Sequence, residues 1–438
     1  MKNGQEERGR PIFNGDLCAR RMAKNMTKIA YLRKVWAEKY DENDLEAAAE
    51  IGEALLREHW HNKSMRTVGY ANDLFNLACV HEDLGNFERA VAYYSDAAQQ
   101  HLAANGDELS YADRVNSLAS ALVRNDLPGT AFVLLENVAA IRRKLLGRRN
   151  LIYADSLYNL ANAAADIGRT KDAIHFHMEA LKIRETDAPI VDIVSSLHSI
   201  AFLYESDENY EKAILFAKSA AKFSASDDIA YAKACNYLAE LYEAASEYES
   251  ALPLYDEVLE IAGGETNRSG SAYLNVALRR ANLLSLLNRP EEALAAHEKI
   301  CESFPPGATS VFYANCLRGM AMLHSNLNNP ARAEECILKA MKIRRTMYED
   351  ITLDITFLIR LHLRENNTEK ALEALIYALM CSGQNSPEYN EMLEDLVSIF
   401  DQTKNPATGE FVNAIELLND REKLRPILNK WEAWEKGG

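Results

Sequence analysis

The chain lacks any long hydrophobic run. No stretch approaches the roughly 18 uncharged apolar residues of a membrane span, which argues against a bilayer-crossing helix. The first fifteen residues, MKNGQEERGRPIFNG, contain no apolar core of the kind a secretory signal needs. Basic residues are in deficit: 49 Lys and Arg stand against 65 Asp and Glu, a net charge of −16. A duplex nucleic-acid binder would show a basic stripe instead, so no nucleic-acid partner is expected. The seven cysteines are odd in number and none forms a CxxC pair. They are expected to be reduced, buried and cytoplasmic, and no structural zinc is expected. Walker-A, GxGxxG, GxSxG and HExxH sequences are all missing, which removes phosphate cradles, a nucleophile elbow and a zinc-protease helix. Neither a cofactor nor a catalytic residue is expected. Against these deficits, 48% hydrophobic residues are ample for a folded protein.

What the chain does have is alanine at nearly fixed spacing. Ala48, Ala90, Ala131, Ala173, Ala213, Ala251, Ala293, Ala333 and Ala371 are separated by 42, 41, 42, 40, 38, 42, 40 and 38 residues. A period of this size marks stacked helical repeats. Register origins twenty residues earlier fall at Lys28, Tyr70, Tyr111, Tyr153, Ile193, Tyr231, Tyr273, Tyr313 and Ile351. Eight residues after the origin runs a second column: Ala78, Ala119, Ala161, Ala201, Ala239, Ala281 and Ala321, with Trp36 and Ile359 in the terminal units. Each unit reads as two helices. The first places apolar residues at i, i+3 and i+4, as in Leu74, Leu77 and Ala78. A break such as Leu84-Gly85-Asn86 or Ile167-Gly168-Arg169 follows, with Gly or Asn suited to a left-handed helix end. The second helix carries the column alanine and, four residues on, a ring such as Tyr94, His177, Tyr255 or His297. Two close-packed helices need residues without bulk where they cross, and an alanine on each meets that need.

This pattern resembles the tetratricopeptide repeat (TPR), as Gly85-Asn86-Phe87-Glu88-Arg89-Ala90 and Asn209-Tyr210-Glu211-Lys212-Ala213 show. The period exceeds the family's usual length of about 34 and is similar to the longer repeats of kinesin light chains. HEAT and armadillo repeats share the period but lack the double alanine column and the Gly/Asn turn. The resemblance implies an all-α fold: a right-handed superhelical solenoid of about nine TPR-like helix-turn-helix repeats with terminal capping helices. Residues 1–15 are expected as a disordered N-terminus, 16–388 as the solenoid and 389–438 as capping helices.

The resemblance also implies that the first helix of each unit lines a concave groove that holds a peptide. Its inward side should carry positions two, five, nine and twelve after each origin. This set contains Asn72, Asn116, Asn162, Asn236, Asn275, Asn282 and Asn315. Asparagine both donates and accepts, so a row of it can pair with an extended backbone whatever the peptide's side chains. The alternative is that asparagine simply populates a polar helix surface. Glu240 in the middle and Arg318 and Arg360 beyond it suggest a ligand with a basic centre and an acidic end. Residues 193–272, with fourteen acidic and five basic side chains, favour basic partners in the same way, or form a solvated face. Tyr158, His198 and Phe202 offer either a stacking pocket or inter-repeat packing. Several histidines are expected to be packed rings and not metal ligands, because His81, His324 and His362 share a register position that Tyr204 and Tyr242 fill elsewhere. Three functions are open at this point: a non-enzymatic scaffold for a protein or extended peptide segment, a peptide-sensing signalling receptor of the Rap-like kind, and a regulatory subunit of an enzyme complex.

Overall fold

The computed structural model describes residues 28–263, 270–305, 307–367 and six positions between 370 and 378. The expected N-terminal tail and the C-terminal capping segment lie outside the described residues. Among those described there are seventeen helices and no strand. None of these helices is long and apolar enough to cross a membrane. The chain divides into two compact units, Met1–Ser226 and Asp227–Gly438. The first contains five helix pairs: α1 (Lys28–Asp41) with α2 (Leu45–His61), α3 (Val68–Asp83) with α4 (Phe87–Ala103), α5 (Glu108–Arg124) with α6 (Pro128–Leu146), α7 (Leu151–Asp166) with α8 (Thr170–Asp187), and α9 (Ile190–Ser206) with α10 (Tyr210–Ser224). The second contains α11 (Asp228–Ala244) with α12 (Tyr248–Ala262), α13 (Ser271–Leu286) with α14 (Pro290–Cys301), α15 (Val311–Asn326) with α16 (Pro330–Thr346), and α17 (Thr352–Arg364).

Each odd helix from α1 to α15 packs mainly against the even helix that follows it, and α17 packs against α16. The alanine columns explain how. All sixteen column alanines are fully buried, and Trp36 and Ile359 fill the same position in the terminal repeats with no exposure. A methyl is the largest group that fits where two axes approach this closely, so the column recurs. The rings four residues on, Tyr94, His177, Tyr255 and His297, are buried as well. Helices α14 and α15 approach closely at one glycine. A Cβ on Gly319 would stand 2.5 Å from the His297 ring, so glycine is required there.

The turns are regular for a local reason. Each odd helix ends on a residue with positive φ: Asn43, Gly85, Asp126, Gly168, Glu208, Ser246, Asn288, Asn328 and Asn366. The next amide then reaches back five residues, as from Asn86 to the His81 carbonyl at 2.8 Å and from Arg169 to that of Ala164 at 2.8 Å. This closes the orphan carbonyls of the helix end. Asx caps start the following first helices: the Asp107 carboxylate accepts from the Ser110 amide at 2.7 Å, and the Asn150 side chain from the Ile152 amide at 2.8 Å.

Some turns after even helices also carry a residue with positive φ, among them Lys63 and Tyr348. Tyr348, after α16, holds φ +58° while 99% exposed. A bulky side chain pays for the left-handed conformation with backbone strain, and nothing packs on this ring in return. Tyr348→Gly is therefore expected to stabilise the second unit by roughly 0.5–1 kcal/mol, read as a higher urea midpoint with unchanged slope. An unchanged or lower midpoint would refute the strain.

Candidate functional site

In both units the ninth register position of several first helices carries an exposed side chain. Ser120 on α5, Asn162 on α7 and Phe202 on α9 are exposed in the first unit, with Phe202 at 59%. Asn282 on α13, Met322 on α15 and Arg360 on α17 are exposed in the second, with Met322 at 51%. Glu240 on α11 is half-exposed, and Cys79 on α3 is buried. The fold makes no use of the exposed members, which leaves an unclaimed strip along each unit.

The second, third and fifth positions are different, because many repeats use them to hold each other. Arg142 on α6 donates from Nη2 to Asp113 Oδ1 at 2.6 Å and from Nη1 to Ser156 Oγ at 2.8 Å, joining α5 and α7. Arg184 on α8 does the same one repeat later. It donates to Asp155 Oδ1 at 2.7 Å, to Ser196 Oγ at 2.9 Å and to the Asp192 carbonyl at 3.1 Å. In the second unit Arg344 on α16 donates to Asn315 Oδ1 and pairs through Nε with Asp354 Oδ2 at 3.0 Å. All three guanidiniums are buried. They stand eleven residues after Ala131, Ala173 and Ala333. His59, eleven after Ala48, follows the same rule, its Nε2 lying 2.7 Å from buried Asp73 Oδ2. A charge-assisted bracket thus reaches from α6, α8 and α16 back to their own first helices and forward to the next. Sequence reasoning missed it, although the spacing from the alanine column carries the signal.

The sequence-derived residues fall into two groups. In the first unit, Asn72 accepts from Arg114 Nη2, and Asn116 Oδ1 accepts from Asn159 Nδ2 at 3.0 Å. The Tyr158 ring lies under the Arg184 guanidinium at 4.6 Å and meets His177 edge-on at 5.0 Å, while its hydroxyl is 3.3 Å from Ser199 Oγ. In the second unit, Asn315 and Arg318 are engaged by Arg344 and Asp354. Asn236 Nδ2 donates to Glu240 Oε1 at 3.1 Å, and its own Oδ1 is buried without a partner among the described residues. Arg279 lies between Glu240, at 3.5 Å, and Glu243, at 2.9 Å. The second group, Asn162, Asn275, Asn282 and Arg360, is exposed. Arg360 has no ion pair among the described residues. Of the histidines, His81 is buried and stacked 5.3 Å from Tyr93, His362 is buried and His324 is half-buried. Burial holds His198 below the usual imidazole range. No group of His, Cys, Asp and Glu suited to a metal ion occurs among the described residues.

Matches to the tetratricopeptide-repeat family cover residues 74–99, 111–186, 234–269 and 314–351. The chain carries tetratricopeptide repeats. These tetratricopeptide repeats are similar in fold to the apo form of RapI, at 14% identity and TM-score 0.52, over 79% of this chain and 97% of that one. They are also similar to a signal-transduction ATPase with a tetratricopeptide repeat sensor from Pyrococcus horikoshii, at 15% identity and TM-score 0.51, over 72% of this chain and 49% of that one. Kinesin-light-chain TPR-like repeats from Podosopora anserina align at 21% identity and TM-score 0.42, over 46% of this chain and 99% of theirs. No curated protein matches the chain.

Proposed function

We propose that this chain is a non-enzymatic scaffold that holds an extended segment of a partner protein along the first-helix face of its tetratricopeptide repeats. The observation that carries this reading is the unclaimed row at the ninth register position. Asn162 and Asn282 expose amides that can pair with a peptide backbone, and Phe202 and Met322 expose apolar side chains that cost free energy in water. Asn275 adds a third exposed amide. Asn72, Asn116 and Asn315 support that face from behind, because their side chains already serve the repeat stack. Near α11 the carboxylates of Glu240 and Glu243 outnumber Arg279, which favours a basic side chain in the ligand. Arg360 favours an acidic one further along, whereas the charge on Arg318 is already met by Asp354. The five described cysteines are free thiols, which fits the reducing setting of a cytoplasmic protein.

Phage-displayed peptides selected on the immobilised full chain test the proposal. Enriched peptides, measured by fluorescence anisotropy, are expected to bind Asn162→Ala/Phe202→Asp or Asn282→Ala/Arg360→Glu about tenfold more weakly than the parent chain. Peptides that bind both variants with parental affinity would place recognition elsewhere.

A further inference from the structure

A cluster of sulfur atoms in the second unit has no part in the peptide face. Cys301 closes α14, and Cys316 lies five residues into α15. Cys316 is a fully buried member of the core cluster beneath α13–α15, and Cys301 packs against that cluster. Cys301 Sγ also lies 3.8 Å from Met320 Sδ. Cys79, Cys235, Cys316 and Cys336 are buried, and Cys301 alone among the described cysteines is partly exposed. One accessible thiol thus packs on the core cluster that holds one sealed thiol of the next repeat. The same placement sets their chemistry apart. A hydrogen bond from the Cys316 thiol pulls Cys301 below the usual thiol range, opposed by burial and by the Glu298 carboxylate. That hydrogen bond and burial push Cys316 far up. Burial also raises Cys336 and Tyr313, which face Cys301 from α16 and α15. Within this cluster Cys301 is therefore the group that ionises first, and a thiolate is the nucleophilic form of cysteine.

We propose that Cys301 and Cys316 form a peroxide-reactive pair, with Cys301 as the attacking thiol and Cys316 as the resolving one, and that their disulfide fastens α14 to α15. In the first step the Cys301 thiolate attacks one oxygen of hydrogen peroxide. The O–O bond breaks, an S–O bond forms, and hydroxide leaves. In the second step the Cys316 sulfur attacks the Cys301 sulfur, the S–O bond breaks, and the departing hydroxide takes the Cys316 proton as water. Two thiols are oxidised by one peroxide, which is reduced to two waters. The bond closes the short connection between one repeat and the next, so oxidation restrains the angle between those repeats.

The test is peptide mapping of the native chain after stoichiometric hydrogen peroxide, without reductant. The expected product is one cross-linked peptide pair containing Cys301 and Cys316, about 2 Da lighter than the two thiols and restored by dithiothreitol. The oxidised chain is expected to melt at a higher temperature than the reduced chain. Cys316→Ala should leave Cys301 as a sulfenic acid that dimedone captures, and Cys301→Ser should leave Cys316 unmodified. Far-ultraviolet circular dichroism shows whether each variant is folded. If Cys316→Ala does not fold, Met320→Leu supplies the second measurement, since it leaves both thiols in place and should still form the link. Unreacted Cys301, or a link from Cys301 to Cys336 in place of Cys316, would overturn the pairing.

Discussion

Asp354→Ala is expected to cost the second unit about 3–5 kcal/mol, because it strands a buried positive charge. The Asp354 carboxylate has no solvent exposure. It meets Arg318 on one oxygen and Arg344, whose side chain is only 7% exposed, on the other. An ion pair placed in so dry a setting adds little net stability over an apolar replacement, since its formation must repay the desolvation of both charges. Removing one member is a different matter, because the remaining guanidinium keeps its burial and loses its counter-charge. The measurement is the urea midpoint and slope of Asp354→Ala, with Asp354→Leu/Arg344→Met beside it. The double variant should be more stable than Asp354→Ala, because the buried Arg344 charge goes with its partner and only Arg318, whose side chain is 24% exposed, loses its counter-charge. A double variant that falls below the single one would show that the bracket contributes more than it costs.

The second large effect is on acid stability. Burial pushes His177 and His297 down to about 4, with the Arg184 guanidinium adding to the effect at His177. Neither ring finds a partner for its Nδ1, and His297 has none for Nε2 either, among the described residues. A neutral buried histidine imposes no penalty above its unfolded pKa near 6.5. As pH falls below that value the unfolded chain binds a proton that the folded chain refuses. Each unit therefore loses stability between about pH 6.5 and 4, at roughly 1.4 kcal/mol per pH unit per histidine. The full loss is on the order of 3 kcal/mol for each ring and levels off below pH 4. His81, His198 and His362 are pushed the same way by burial and steepen the decline. Urea unfolding from about pH 7.5 to 4.5 measures this slope. His177→Leu and His297→Leu should each flatten it, whatever they do to stability at neutral pH. Slopes identical to that of the parent would mean that these rings protonate freely in the fold.

The alanine columns made most of the fold readable. A helix crossing tolerates one size of side chain, so the same residue recurs at Ala90, Ala131 and Ala173 and the period stands out. The turns were half visible. Gly85, Gly168, Asn288 and Asn328 announce a left-handed residue, but Asp126, Glu208 and Ser246 adopt the same conformation without the usual signature. The bracket was hidden because its chemistry is complementary but not identical. Arg142, Arg184 and Arg344 sit in charged segments near helix ends, where cations normally face water and complement the dipole. Their acceptors alternate among Asp113, Asp155, Ser156, Ser196, Asn315 and Asp354, so no single residue type marks the column. The same fact explains the split among the asparagines. Register alone could not separate Asn72 and Asn315, which the stack uses, from Asn162 and Asn282, which it leaves exposed.

The arginine bracket also sets rules for exchanging modules. The segment 153–192 opens with the acceptors Asp155 and Ser156 and closes with the donor Arg184, and the segment before it closes with the equivalent donor, Arg142. Its outgoing and incoming ends are therefore complementary to each other as well as to its neighbours. A tandem copy of this cassette would meet itself with the same donor opposite the same serine, so the array can be lengthened there without stranding a charge. The segment 313–350 has no such freedom. Its donor Arg344 needs the carboxylate of Asp354 in the following repeat, while its own third position is Cys316, which offers no anion. Repeats that look equivalent by their alanines are thus distinguished by what each demands of its successor.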